Sequence, residues 1–409
     1  MFLEKLTGSI IILWGIVILY GTFKKATICK NGQIVSGIVL TLGGIAVLAS
    51  GIVDSLSQPV FSIVKTESNI NALTKPAFII VGAGVVMYVY NLICKNKIIT
   101  AETQEKNKKE EFYRIWKWAR TYMYMTEVEN AGYFAWSCGT DGTRNADGPA
   151  PDGEEFFAMA LFFASHRWGD GEGIFAYSEE AKKLLHTCIH KGENGEPGRA
   201  MWDSKNYLIR FITEVDFSDP SYHLPHFYEL FAQWSFEEDR SFWKKAAKAS
   251  RDYLKKACHP VTGLCAEYAE YDGTPYTKGQ NIWGRHDWYY SDAYRTIANI
   301  ALDHVWFGTD EWEVEEGKRF LEFFCETAGE EHQDGIFAID GTVIPGKALH
   351  PVAMTAVNAQ AGLMVQNEHA LACVRKFWNT PLRTGSRRYY DNCLYFFAFL
   401  ALSGNYRIY

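Results

Sequence analysis

Hydrophobic and polar positions divide this 409-residue chain near residue 100. On the N-terminal side, three apolar stretches at roughly 6–23, 34–53 and 77–94 carry no charged residue. Each approaches the ~20 apolar residues that a helix needs to cross a bilayer. Gly43-Gly44 and Gly82-Ala83-Gly84 supply the small faces on which membrane helices pack closely. No small-residue cleavage site follows the first stretch, so a removed signal peptide does not explain it. The pattern predicts about three transmembrane helices over 1–98. Lysines cluster in the first loop (Lys24, Lys25, Lys30) and after the third span (Lys95, Lys97, Lys106, Lys108, Lys109), while loop 54–75 carries few. The positive-inside rule then puts the N-terminus outside and everything after the third span in the cytoplasm. Residues 99–109 read as a polar linker.

From 110 to 409 the pattern is that of amphipathic helices. Phe112, Ile115, Trp116, Ala119 and Met123 recur at helical spacing, as do Phe157, Ala160, Leu161, Ala164 and Trp168. The same signal predicts helices over about 178–190, 223–235, 239–257, 291–306, 310–327, 351–365, 368–378 and 388–402. About ten helices result, with few strands and with long loops rich in Gly, Asp and Pro. The expected fold is all-α, an α/α toroid or barrel.

A net charge of −7 with no basic stripe argues against a nucleic-acid partner. The 13 Trp, 23 Tyr and 26 Phe exceed the needs of an ordinary core and suit stacking on sugar rings. Nine scattered cysteines without a CxxC pair read as free thiols in a reducing compartment. His223 and His226 flank Pro225 and belong to no HExxH motif, and the acidic run 141–152 has Ala146 where a calcium loop needs Gly. No phosphate loop, dinucleotide fingerprint or GxSxG elbow is present. Neither metal nor cofactor is expected.

Four clusters can carry chemistry. Asp152, with Glu154 and Glu155, sits where a helix N-cap belongs, and binds either the helix mouth or a ligand. Asp292 stands among Trp288, Tyr289, Tyr290 and Tyr294, with Arg295 one turn on; Ser291 or Asp292 can cap a helix, but an acid in this setting can also serve as a general base. His350 precedes Pro351, as in a turn. Arg387, Arg388, Tyr389, Tyr390 and Asp391 either bind hydroxyls or anchor the last helix.

Several longer segments, in this order, are similar to glycoside hydrolase family 8. They are Gly132–Ser137, Pro149–Glu155, Ala164–Gly171, Phe217–His226, Ser291–Arg295, Leu349–Pro351 and Phe377–Asn392. More narrowly they resemble its reducing-end xylose-releasing exo-oligoxylanases, over essentially 110–409. The resemblance implies an (α/α)6 barrel of twelve helices that cleaves β-1,4 links with inversion and releases xylose from xylo-oligosaccharides. It implies that Asp292 is the general base, and that Asp152 binds and distorts the sugar. Trp136 and Tyr222 would line subsites, with Arg295 and Tyr390 among the substrate-binding residues. The Leu349-His350-Pro351 kink would block the cleft beyond the leaving xylose, with His350 on one of its hydroxyls.

One element of that pattern is missing. The family's general acid is a Glu in a Ser-Glu-Gly-type motif upstream of the segment matching 108–118, and no such motif exists in this chain. The first helical pair of the barrel is therefore expected to be replaced by the membrane segment. The partners expected are a xylo-oligosaccharide and, through the N-terminal helices, the lipid bilayer. Two other readings share these residues: a membrane-tethered, non-catalytic oligosaccharide binder, and a fusion or assembly accident near residues 98–110.

Overall fold

The computed structural model describes residue 106, residues 108–278 and residues 285–409. The three spans expected over 1–98, and most of the linker, lie outside these. Among the described residues no helix is long and apolar enough to cross a membrane.

Ten α-helices are found among the described residues. They are α1 (108–122), α2 (Pro151–Trp168), α3 (Tyr177–His190), α4 (Pro225–Trp234), α5 (Arg240–Ala257), α6 (Tyr294–Trp306), α7 (Glu311–Glu322), α8 (Pro351–Ala361), α9 (Glu368–Asn379) and α10 (Arg388–Leu402). The even-numbered helices pack on one another in succession, α2 on α4, α4 on α6, α6 on α8 and α8 on α10. Phe156 of α2 stacks on Phe397 of α10 at 5.8 Å. The odd helices α3 and α5 pack against the even helices that precede them. This alternation is that of an (α/α)6 barrel, with five inner helices described instead of six.

The core follows from the aromatic richness. Trp202, Tyr228, Phe231 and Trp243 are fully buried, with the two indole rings edge to face at 5.0 Å. Each such ring contributes about 1.5–3 kcal/mol on leaving water. Arg251 of α5 grips Asp303 of α6 through two hydrogen bonds, 2.7 and 2.8 Å, and Glu229 of α4 at 2.6 Å. The forked guanidinium thus ties three helices together.

Helix starts differ instructively from expectation. Pro151, Pro225 and Pro351 each open a helix, where proline's fixed φ is suited and its missing N–H costs nothing. So the helix expected from 223 begins at Pro225, and Asp152 lies inside the first turn of α2 rather than at its N-cap, which is Ala150. Neither Ser291 nor Asp292 caps α6 with its side chain; both belong to a 3-10 turn that feeds it. The helix expected over 310–327 is α-helical to Glu322 and continues as a π-turn, and that over 351–365 stops at Ala361. A short antiparallel sheet of β1 (Trp288–Tyr289), β2 (Ile336–Ala338) and β3 (Val343–Ile344) pairs Trp288 with Ala338 and Tyr289 with Phe337. It fixes the chain just before Asp292.

Candidate active site

The residues singled out from the sequence gather at one kind of position, the N-terminal ends of the inner helices. Asp152 is in the first turn of α2, Tyr222 in the 3-10 turn before α4, and Asp292 and Arg295 enter α6. His350 immediately precedes α8, and Tyr390 is in the first turn of α10. Helix N-termini carry unpaired N–H groups and positive potential, so carboxylates are favoured there.

Arg295 organises the cluster. Its Nη1 donates to Asp152 Oδ2 at 2.8 Å. Its Nη2 lies 3.3 Å from Asp292 Oδ1 and 3.7 Å from Asp219 Oδ2. The guanidinium also lies over the Tyr222 ring, 5.3 Å from its centre, a cation–π contact. Burial disfavours the charge on Arg295, but the facing Asp292, Tyr390, Asp152 and Asp219 outweigh it and hold the group firmly cationic. Burial pushes the carboxyls of Asp152 and Asp219 above their ordinary range, against the opposing pull of Arg295. Asp152 and Asp292 nevertheless keep about a quarter of their side chains open to solvent, at 26% and 28%. Asp219 is sealed beneath them. Its Oδ1 accepts the Ser221 N–H at 2.7 Å, while Asp219 Oδ2, Ser221 Oγ and Arg295 Nε make no hydrogen bond with any described residue. Buried polar atoms of this kind are normally satisfied by water or ligand.

Backbone strain aims the base candidate. Ser291 has φ of 46°, left-handed for a residue with a side chain. Such a conformation costs on the order of 1–3 kcal/mol and collects at functional sites. Tyr390 Oη donates to the Ser291 carbonyl at 3.2 Å and helps to hold it.

The His350 loop is held from α10. His350 Nδ1 lies 2.9 Å from Asp391 Oδ2, and its ring packs on Tyr390 at 4.4 Å. Asp391 is fully buried; it also accepts the Ala353 N–H at the start of α8, at 2.8 Å, and pairs with Arg383, which in turn donates to the Leu349 carbonyl at 2.7 Å. Trp136 is 61% exposed, on the loop before α2, while Tyr222 is almost covered.

One participant, Asp219, escaped the sequence reading as an individual residue. It lies inside a segment already noted, but nothing in its spacing separates it from an ordinary cap residue, and Asp391, named there only within the Arg387–Asp391 cluster, proves to be the brace of the His350 loop. The acids beside Asp152 take structural roles. Glu154 accepts the Phe134 N–H at 2.8 Å and Glu155 accepts from the Tyr228 hydroxyl. Burial pushes Glu154 up to about 8 and Glu155 well above the carboxylate range. His223 sits between the hydroxyls of Ser218 and Ser250, at 2.9 and 2.8 Å, and burial lowers it to about 3.

Comparison with known proteins identifies the family. The profile for "Glycosyl hydrolases family 8" matches residues 103–404. A reducing end xylose-releasing exo-oligoxylanase of Halalkalibacterium halodurans is 59% identical over 306 residues, 74% of this chain and 77% of that protein. Rex8A of Paenibacillus barcinonensis, solved with xylose, superposes with a TM-score of 0.71 at 56% identity, over 75% of this chain and 80% of that one. A mutant of the same enzyme was solved with an arabinofuranosyl-xylotetraose, with a TM-score of 0.71 and 56% identity over 75% and 79% of the two chains. The chain belongs to family 8 of the glycosyl hydrolases.

Proposed function

We propose that residues 110–409 bind the reducing end of β-1,4-linked xylo-oligosaccharides and act as an inverting exo-oligoxylanase. The observation that carries this reading is the clamp of Arg295 on Asp152, Asp219 and Asp292 at the mouths of the inner helices. The 59% identity to an enzyme of that name supports it. In this reading Asp292, which faces Arg295 at 3.3 Å, accepts a proton from water as the water oxygen bonds to the anomeric carbon. The glycosidic bond on the opposite face breaks, which inverts the centre. Asp152 binds the sugar at the point of cleavage. Trp136, Tyr222 and Tyr390 line the cleft, and His350, braced by Asp391, closes it beyond the leaving xylose.

The leaving oxygen needs a proton. No Ser-Glu-Gly-type motif precedes α1, and the cleft carboxylates that face Arg295, Asp152 and Asp292, already hold the sugar-binding and base roles in this reading. General acid catalysis is typically worth about 10²–10⁴-fold, so turnover without that donor falls by at least this order. This favours a second reading, a membrane-tethered binder that uses the same surface, anchored through 1–98 with its large domain on the cytoplasmic side.

Xylotriose incubated with the purified full-length protein separates the two. Release of xylose and xylobiose, abolished by Asp292→Asn, is the result expected of the enzyme. Calorimetric binding of xylotriose without release selects the binder. Neither binding nor release overturns both.

A further inference from the structure

On the outer surface, away from the Arg295 cluster in sequence and in helix, α3 and α5 bring three metal-ligating side chains together. His186 and His190 are spaced i, i+4 on α3, so they project from one face. Their rings lie 4.3 Å apart. Asp239, the residue before α5, is almost wholly buried and faces both histidines: its Oδ2 is 2.9 Å from His186 Nδ1 and its Oδ1 is 2.8 Å from His190 Nε2. One ligand atom from each residue lies within 4.8 Å of the others.

We propose that His186, His190 and Asp239 form a binding site for a divalent first-row transition ion such as Zn²⁺ or Co²⁺. Two imidazoles and a carboxylate are the donor set such ions prefer, and three protein ligands leave a position for water. A tetrahedral ion at about 2.0–2.1 Å from its ligands needs neighbouring donors about 3.3 Å apart, so rotamer adjustments that close up to about 1.5 Å complete the set. Solvent reaches it, since the two imidazole side chains are 43% and 35% exposed.

A fourth residue orients His190. Glu193 Oε1 lies 3.0 Å from His190 Nδ1. With the Nδ1 proton donated to Glu193, the lone pair of Nε2 points at the Asp239 side. This is the carboxylate–histidine–metal arrangement that fixes ring tautomer and orientation at metal sites. The sequence reading passed over the site because its carboxylate arrives 49 residues after His190, through the fold alone. Bridging α3 to α5, the ion would act as a staple on the outer layer.

The test uses the full-length protein, free of affinity tag and of metal, titrated with CoCl₂ alone. Saturable binding of one Co²⁺ per chain, with visible d–d bands and no near-ultraviolet thiolate charge-transfer band, is expected. His190→Gln is expected to remove these bands, and Glu193→Gln to weaken binding by about 10–100-fold. The proposal is overturned if the bands survive in both His186→Gln and His190→Gln, if charge transfer identifies a cysteine site, or if the unaltered protein binds no cobalt. The circular dichroism of each variant shows whether loss of binding is loss of fold; where His190→Gln unfolds, the exposed His186→Gln gives the decision.

Discussion

A single guanidinium gathers the neighbouring acids. Asp152 and Asp292 were legible in the sequence because each lies in a segment matched to a known family; Arg295 was legible as one turn beyond Asp292. Their meeting was not, since Asp152 is 143 residues from Arg295 and comes to 2.8 Å only when α2 and α6 assemble. Glu154 was misleading in the other direction. In the sequence it is a first-turn acid, favoured by the helix dipole, yet it is 1% exposed and takes its hydrogen bond from Phe134. Its folded value of about 8 lies above the unfolded 4.5. A raised carboxyl stabilises the fold fully below pH 4.5, and that contribution is lost as pH rises through about 8, because the unfolded chain releases the proton more readily. Glu154→Gln keeps an acceptor for Phe134 and removes the titration. The melting temperature of the variant is therefore expected to hold up better than that of the unaltered protein between pH 5 and 8, with the gap widening upward. Parallel melting curves over that range would refute the assignment.

Helices were the most readable elements, since apolar spacing and proline placement reflect local physics. Ten expected helices meet ten among the described residues, with ends shifted by a few positions where proline or a 3-10 turn takes over. What links one helix start to another was hidden. The start of α8 depends on Asp391 from α10, which holds the Ala353 N–H, His350 and Arg383 at once. Asp391→Asn leaves one carbonyl acceptor but no charge for Arg383. A buried hydrogen-bonded charge is worth about 1.5–3 kcal/mol, so the variant is expected to melt earlier by that order. With the Leu349–Pro351 loop loosened, xylotriose affinity measured by calorimetry is expected to fall at least several-fold. A variant that melts earlier but binds as tightly would show that the brace serves folding alone.

At the scale of the molecule, the boundary between two sequence patterns near residue 100 bears on the proposed activity. The family match starts at residue 103, and about a fifth of the length of the exo-oligoxylanases this chain resembles has no counterpart in the aligned stretch. The proposed absence of a proton donor follows from this boundary, and it has a chemical signature separate from general inactivity. A missing acid penalises a poor leaving group and spares one that departs without a proton. A missing base, by contrast, slows every substrate, because the water stays unactivated. A β-xylobiosyl fluoride, whose fluoride leaves unprotonated, is therefore expected to be hydrolysed at least 10²-fold faster than xylotriose, a ratio set by the usual contribution of general acid catalysis. Asp292→Asn is expected to remove the fluoride reaction too. Fluoride release followed with an ion-selective electrode decides the matter. Equal rates on the two substrates would mean that this chain supplies its own acid, and no reaction on either, with Asp292 in place, would leave the Arg295 clamp as the floor of a binding site.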